Sequence, residues 1–108
     1  ASISFGSDWP VSSPTPILGV ATAVNRSLPG GTSWTRHQAL KVGEALVAYT
    51  SGVSFQLKRI GSDGTLRTGQ PAEFIVLSGN PFEAENLGIF ELAVVATSTT
   101  TNPLTKLN

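Results

Sequence analysis

This chain begins with a short apolar run that stops at a glycine and is followed at once by a carboxylate. The run Ile3 to Phe5 predicts a short buried strand, and Gly6-Ser7-Asp8-Trp9-Pro10 follows it. In α/β barrels, the carboxyl ends of the strands and the loops after them carry the catalytic groups. Asp8 is therefore a candidate catalytic residue. The alternative interpretation is that Asp8 only caps a turn, as Asp often does after a strand.

The next segments have helical patterns. Thr15-Pro16 is a favourable helix start, because a hydroxyl residue suits the N-cap and proline suits the first helical position. Apolar residues at helical spacing then predict a helix that ends at Leu28, before Pro29-Gly30-Gly31. Apolar residues at Val42, Ala45, Leu46 and Tyr49 mark a second amphipathic helix, and a short third helix is predicted from Ser51 to Leu57. The first strand, loop and helix make one βα unit, which needs neighbouring strands to bury itself.

From Ile60 onward the pattern becomes typical of β-structure. Glycines bracket Thr65 to Arg67, which predicts a strand, a turn and a second strand from Phe74 to Leu77. The second strand is continuously apolar, which indicates a strand covered on both faces. Ile89 to Ala96 predicts a last strand, and the Thr-rich tail from Thr97 to Asn108 is expected to be a fraying strand or disordered. The change near residue 60 predicts two parts, 1–59 and 60–108.

The composition limits what this chain binds. Charged residues make up 13% of its 108 residues, against roughly 25% in a typical soluble domain, so some faces are expected to bury against something else. Seven basic residues balance seven acidic ones without a block of like charge, which argues against nucleic acid and anionic membranes as partners. No apolar run approaches the ~18 residues of a membrane helix. The absence of Cys rules out disulfides and is compatible with the cytosol.

These observations lead to three expectations about the state of the protein. We expect a cytoplasmic location. We expect a homo-oligomer, because the apolar strands Phe74 to Leu77 and Ile89 to Ala96 should have open edges. Since no initiator Met precedes the first strand, we interpret Ala1 as a cut or processed start.

Three segments resemble parts of the amidohydrolase superfamily, in particular the amidohydrolase-3 family. They are Phe5 to Val11, Gly43 to Thr50 and Gly64 to Leu77, and the resemblance extends from about Ile3 to Thr97. The resemblance implies an α/β fold, in which this chain is the C-terminal fragment of a (β/α)8 metal-dependent hydrolase barrel. Residues 1–59 would be the last strand of the barrel and the helices after it, and residues 60–108 would be part of a small β-sandwich.

The resemblance also implies a double role for Asp8, as a ligand of a divalent metal and as a proton shuttle. The metal, expected to be zinc, activates the water that attacks an amide or other C–N bond, though not a peptide bond, of a small-molecule substrate. The other ligands of the family are an early His-x-His, a mid-barrel Lys or Glu and two later histidines. They would lie upstream of Ala1, so we expect the isolated chain to hold no cofactor and to be inactive.

Two departures from the family pattern are visible. Glu73 stands where the family usually has Asp, and Lys41 stands where a capping Ser or Thr is common. A function of another class also remains open, namely a non-catalytic β-rich domain that binds a partner or self-associates through an exposed sheet edge.

Other candidate residues have less support. His37 is the only histidine, lies outside the family's ligand positions and is expected to be a solvated loop residue. Ser7 and Ser62 follow glycines but do not form a G-x-S-x-G motif, so a serine hydrolase has little support. Trp9 and Trp34 are expected to serve packing, although Trp9 could line a pocket beside Asp8.

Overall fold

A computed structural model describes residues 1–104, except for the side chains of residues 86 and 87. This part of the chain is a small α/β unit with three α-helices and a two-stranded sheet. None of its helices is both long enough and apolar enough to cross a membrane. The elements in chain order are α1 (Pro16–Asn25), a 3-10 helix (Arg36–Gln38), α2 (Val42–Tyr49), α3 (Ser51–Gln56), β1 (Phe74–Leu77), a 3-10 helix (Asn86–Glu91) and β2 (Val94–Ser98).

Helix α1 begins where the sequence predicts and ends earlier. Pro16 occupies its first turn, where no backbone N–H is needed. Arg26 takes the left-handed conformation with φ 52°, and its N–H donates to the carbonyl oxygen of Thr22 at 2.7 Å. The predicted end at Leu28 is therefore wrong. The helix ends at Asn25, because the left-handed residue after it turns the chain away from the helix axis.

Helix α2 begins with half of a capping box. The carboxylate of Glu44 accepts the backbone N–H of Lys41 at 2.7 Å. The Lys41 ammonium has no lone pair, so its side chain cannot accept a backbone N–H in return as Ser or Thr would. Both α2 and α3 agree with the predicted helices, except that Leu57 is the residue after the end of α3.

The hydrophobic core is built around α1, which packs against both α2 and the 3-10 helix Asn86–Glu91. Burial of apolar side chains is the main source of stability for a unit of this kind. The buried apolar residues are Ile17, Val20, Ala21, Val24, Ala45, Ala48 and Ile89.

Strands β1 and β2 form an antiparallel pair. Phe74 lies opposite Ser98 and Leu77 lies opposite Val94, with an irregularity in the register between Val76 and Leu77. The prediction that β1 is covered on both faces is wrong, since Ile75 is 52% exposed. Its side chain faces an open groove between the sheet and α1 and not a packed layer.

The predicted strand Ile3 to Phe5 has no regular secondary structure and is not part of a sheet in the described chain. The N–H of Phe5 donates to the carbonyl oxygen of Ala48 at 2.9 Å, at the end of a helix and not on a strand. A strand requires a neighbour to complete its ladder, and the sheet of residues 1–104 contains only β1 and β2.

Two further strand predictions need correction. Residues 65–67 lie in a loop that is closed by a hydrogen bond from the Thr65 hydroxyl to Gln70 Oε1 at 2.6 Å. The predicted strand from Ile89 to Ala96 begins only at Val94. Ile89 is fully buried within a 3-10 helix that packs on α1, so its apolar side chain serves the core and not a sheet.

The Thr-rich tail continues β2 and then turns. Thr97 and Ser98 belong to the strand. The backbones of Thr99 and Asn102 exchange two hydrogen bonds of 3.2 Å each, and the N–H of Leu104 donates to the Ser98 hydroxyl at 3.0 Å. The expectation of disorder is therefore wrong for residues 99–104, and residues 105–108 lie outside the described part of the chain.

Candidate functional site

The segment that leads to Asp8 is fixed to α2 and α3. Besides the hydrogen bond between Phe5 and Ala48, the ring of Phe5 meets the ring of Tyr49 edge-on, with 5.3 Å between the ring centroids. The carbonyl oxygen of Ile3 approaches Gly52 so closely that a Cβ at that position would lie 2.3 Å from it. Glycine is therefore required at position 52 for this approach, and the segment of residues 3–5 has a defined place on the helices.

Asp8 lies in a tight turn after this segment. Its φ is 51°, a left-handed conformation that Asp tolerates better than most residues. The carbonyl oxygen of Asp8 accepts the N–H of Val11 at 2.8 Å, and the hydroxyl of Ser12 donates to the carbonyl oxygen of Ser7. Backbone groups and the Ser12 hydroxyl thus close the turn.

The carboxylate of Asp8 is exposed. The turn is closed through the backbone carbonyl oxygen of this residue and not through its side chain. The interpretation of Asp8 as a turn cap consequently does not explain why a carboxylate stands here. An exposed carboxylate at the tip of a backbone-closed turn can reach a ligand, a metal ion or a proton donor outside the chain.

Asp8 has no group of potential metal ligands around it among the residues that the structure describes. Within the described residues, no three His, Cys, Asp or Glu side chains are grouped so that they could hold a metal ion, whereas zinc sites use three or more protein ligands. His37 is exposed in the 3-10 helix Arg36–Gln38, as the sequence predicts for a solvated residue. The side chains of residues 1–104 therefore do not form a complete binding site for a divalent metal by themselves.

A known protein family matches the part of the chain that contains the Asp8 turn and the helices and strands described above. The model of the amidohydrolase family matches residues 1–98. This chain belongs to the amidohydrolase family. The matched range contains the Asp8 turn, the three α-helices and both strands. The resemblance that the sequence indicated, to the amidohydrolase-3 family, is confirmed.

Two curated relatives of this amidohydrolase chain are much longer than it is. The Bacillus subtilis (strain 168) protein YtcJ, whose name describes it as an amidohydrolase, is 38% identical over 80 residues, which are 71% of this chain and 15% of YtcJ. Protein LONG AFTER FAR-RED 3 of Arabidopsis thaliana is 31% identical over 84 residues, 77% of this chain and 14% of that protein. The chain therefore spans about one seventh of the length of these relatives. No solved protein structure matches it significantly.

A groove of about 410 Å³ lies between the Asp8 turn and α1 of this amidohydrolase chain. Ser7, Ser12 and Arg26 line it together with Tyr49, and Asp8 itself does not. Burial raises the pKa of the Tyr49 hydroxyl further above its ordinary value near 10. The hydroxyl is a neutral group at neutral pH. The turn thus borders a mainly apolar groove that has a few polar groups.

Tyr49 contacts both α1 and the segment before Asp8. The sequence patterns identified it only as part of a helix. Its hydroxyl lies against α1 at Gly19, where a Cβ would be 2.0 Å from the hydroxyl oxygen. Its ring also contacts Phe5, so it links α1 to the segment that carries Asp8. The signal in the sequence was a glycine inside a helix, which often marks a close approach by another group.

The two tryptophans differ in their surroundings. Trp9, beside Asp8, is 67% exposed, so the prediction that it serves packing is wrong. The ring of Trp34 lies 5.6 Å from the guanidinium carbon of Arg26, a cation–π contact. Arg26 also donates to the Thr35 hydroxyl at 2.8 Å. Trp34 therefore packs its loop onto the end of α1, as predicted.

Proposed function

We propose that this amidohydrolase chain is the C-terminal part of a metal-dependent hydrolase that cleaves amide or other C–N bonds of a small molecule, other than peptide bonds. The observation that carries the proposal is the exposed Asp8 carboxylate on a turn closed by other groups, in a chain matched by the family over residues 1–98. The fixed segment before Asp8 supports the proposal, because a functional carboxylate has to be held in place by a rigid part of the protein.

In this proposal Asp8 contributes one carboxylate to a divalent metal site whose other ligands lie outside the chain. Zinc is the expected ion, and a carboxylate oxygen is one of the ligands that it accepts. A divalent metal, when bound, lowers the pKa of a coordinated water and polarises a substrate carbonyl. The absence of a ligand cluster within residues 1–104 is the reason for assigning the remaining ligands to another part of a longer protein.

The chemistry that Asp8 itself would perform is proton transfer. Its carboxylate accepts a proton from the attacking water while the water oxygen bonds to the carbonyl carbon. It then returns that proton to the leaving nitrogen as the C–N bond breaks. The exposure of the side chain leaves space on this side of the turn for water and substrate. Asn has the same shape but cannot accept the proton.

The test is Asp8→Asn in the longer protein that contains this chain. We expect kcat to fall by at least about 100-fold, the lower range for removal of a general base. The melting temperature should change little, because the Asp8 backbone, and not its carboxylate, closes the turn. As a matched control, Asp63→Asn removes an ion pair of 2.6 Å with Arg59 and should leave turnover unchanged. A near wild-type rate for Asp8→Asn would exclude Asp8 as the base.

The sequence upstream of this chain in its gene distinguishes the hydrolase from a non-catalytic interaction domain. A hydrolase of this kind requires further metal ligands, which we expect as a His-x-His motif and two later histidines. An upstream sequence without histidines that could serve as ligands would contradict the proposed function.

A further inference from the structure

The loop that carries Asp8 spans residues 6–15, between Phe5 and the first residue of α1. Residues 8–16 are exposed, and the hydrogen bonds that close the turn join residues 7–12 to one another. A turn that is closed upon itself is not fixed to the helices by those bonds. The position of the Asp8 carboxylate relative to the rest of the chain therefore depends on how the two ends of the loop are held.

Tyr49 contacts both ends of this loop. At the first end, its ring meets the ring of Phe5 edge-on, with 5.3 Å between the centroids and 69° between the ring planes. At the second end, its hydroxyl lies against Gly19 in the first turn of α1, where a Cβ would be 2.0 Å from the hydroxyl oxygen and 2.9 Å from Cζ. One aromatic side chain thus spans the distance between the two ends.

The neighbours of Tyr49 strengthen this arrangement. Tyr49 is the last residue of α2, and the carbonyl oxygen of Ala48 accepts the backbone N–H of Phe5 at 2.9 Å. The end of α2 therefore holds Phe5 through both the main chain and a side chain. On α1, glycine is less favourable than alanine inside a helix, and the close approach of the tyrosine gives the physical reason for Gly19.

We propose that Tyr49 is a positioning residue for the Asp8 carboxylate, because it fixes the separation of the two ends of the loop. This inference rests on the proposed function, in which Asp8 transfers the proton. Tyr49 takes no proton itself and acts through Phe5 and α1. A catalytic group that is displaced by about 1 Å can lose about 100-fold in rate, so a contact outside the site can control the chemical step.

The first test is Tyr49→Leu in the longer protein, assayed with zinc in excess. We expect kcat to fall by at least about 10-fold with little change in KM, because proton transfer by Asp8 belongs to the transition state. Hydrogen exchange of the Phe5 amide should become faster. Tyr49→Phe keeps the ring that contacts Phe5, so this conservative variant should retain most of the rate and the slow exchange.

The second test approaches Tyr49 from α1. Gly19→Ala places a Cβ where the tyrosine hydroxyl lies and should lower kcat in the same way. Adding Tyr49→Phe removes the oxygen at 2.0 Å and leaves Cζ at 2.9 Å, so the double variant should recover part of the lost rate. Gly43→Ala is the matched control, because its Cβ would meet only Phe82 Cε1 at 3.7 Å, and it should leave kcat unchanged.

Asp8→Asn separates positioning from a general structural role. If Tyr49 acts through Asp8, Tyr49→Leu should change the small residual rate of Asp8→Asn by no more than about 2-fold. An equal loss from Tyr49→Leu with and without the Asp8 carboxylate would overturn the proposal. A wild-type kcat for Tyr49→Leu beside an inactive Asp8→Asn would overturn it and leave the proposed function standing. A near wild-type rate for Asp8→Asn would overturn both.

Discussion

The region around α1 and the turn that carries Asp8 are built in different ways. Residues on α1 such as Val20 and Ala21 are buried against α2 and the 3-10 helix Asn86–Glu91. Residues 8–16 are all exposed. The segment before them is attached by the Phe5 backbone hydrogen bond, a ring contact, a close approach to Gly52 and a hydrogen bond from the Ser4 hydroxyl to Gln56 Oε1 at 2.6 Å. Stability therefore comes from the packed region, and the candidate chemistry lies on a loop that contributes little to it.

The largest effect on stability is expected from the packed region. Ile89→Ala removes a fully buried side chain that packs on α1 and should lower the free energy of unfolding by about 2–5 kcal/mol. Urea denaturation followed by circular dichroism measures this change. Leu66→Ala, at a position 75% exposed, is the control and should change the free energy by less than about 0.5 kcal/mol. Similar losses for both variants would show that the core is not where the structure places it.

A smaller and more local effect is expected where the Asp8 segment meets the helices. In Gly52→Ala the new Cβ would lie 2.3 Å from the carbonyl oxygen of Ile3 and 3.0 Å from that of Val47. Both atoms belong to the backbone, so residues 3–5 have to move. We expect a loss of about 1–3 kcal/mol and faster hydrogen exchange of the Phe5 amide.

Gly43→Ala is the matched control for Gly52→Ala. Its Cβ would lie 3.7 Å from Phe82 Cε1, an ordinary contact, and alanine favours the helix by up to about 1 kcal/mol. This variant should be neutral or more stable, with unchanged exchange at Phe5. Equal behaviour of the two alanine variants would contradict the close attachment of residues 3–5 to Gly52.

Helices were predictable from this sequence because their signals are local. Thr15-Pro16 marked the start of α1, and apolar residues at helical spacing between Val42 and Tyr49 indicated α2. The end of α1 was missed, since the left-handed conformation of Arg26 depends on contacts of the following loop, including the bond from Trp34 N–H to the Arg26 carbonyl oxygen. Arginine at position 26 does not signal this conformation, whereas glycine or asparagine there would have done so.

Strands were less predictable because they depend on partners distant in sequence. The apolar run Phe74 to Leu77 pairs with β2 and forms a strand, whereas Ile3 to Phe5 has the same character but lies on the helices without pairing. Ile89 is apolar and β-branched but is buried by α1 in a 3-10 helix. For the site, the sequence predicts Asp8, and its catalytic and metal-binding role stays a prediction; the structure places it in an exposed turn. The role of Tyr49 in linking α1 to this segment required the folded arrangement.

The most direct measurement is zinc content and amide hydrolysis of the purified 108-residue chain, with and without Asp8→Asn. The central claim is that this chain carries one carboxylate of a site that other parts of a longer protein complete. We expect no stoichiometric zinc and no turnover, and the same result for the wild type and the variant. One tightly bound zinc ion per chain, together with turnover that Asp8→Asn abolishes, would contradict this claim, because the chain would then hold a complete site by itself.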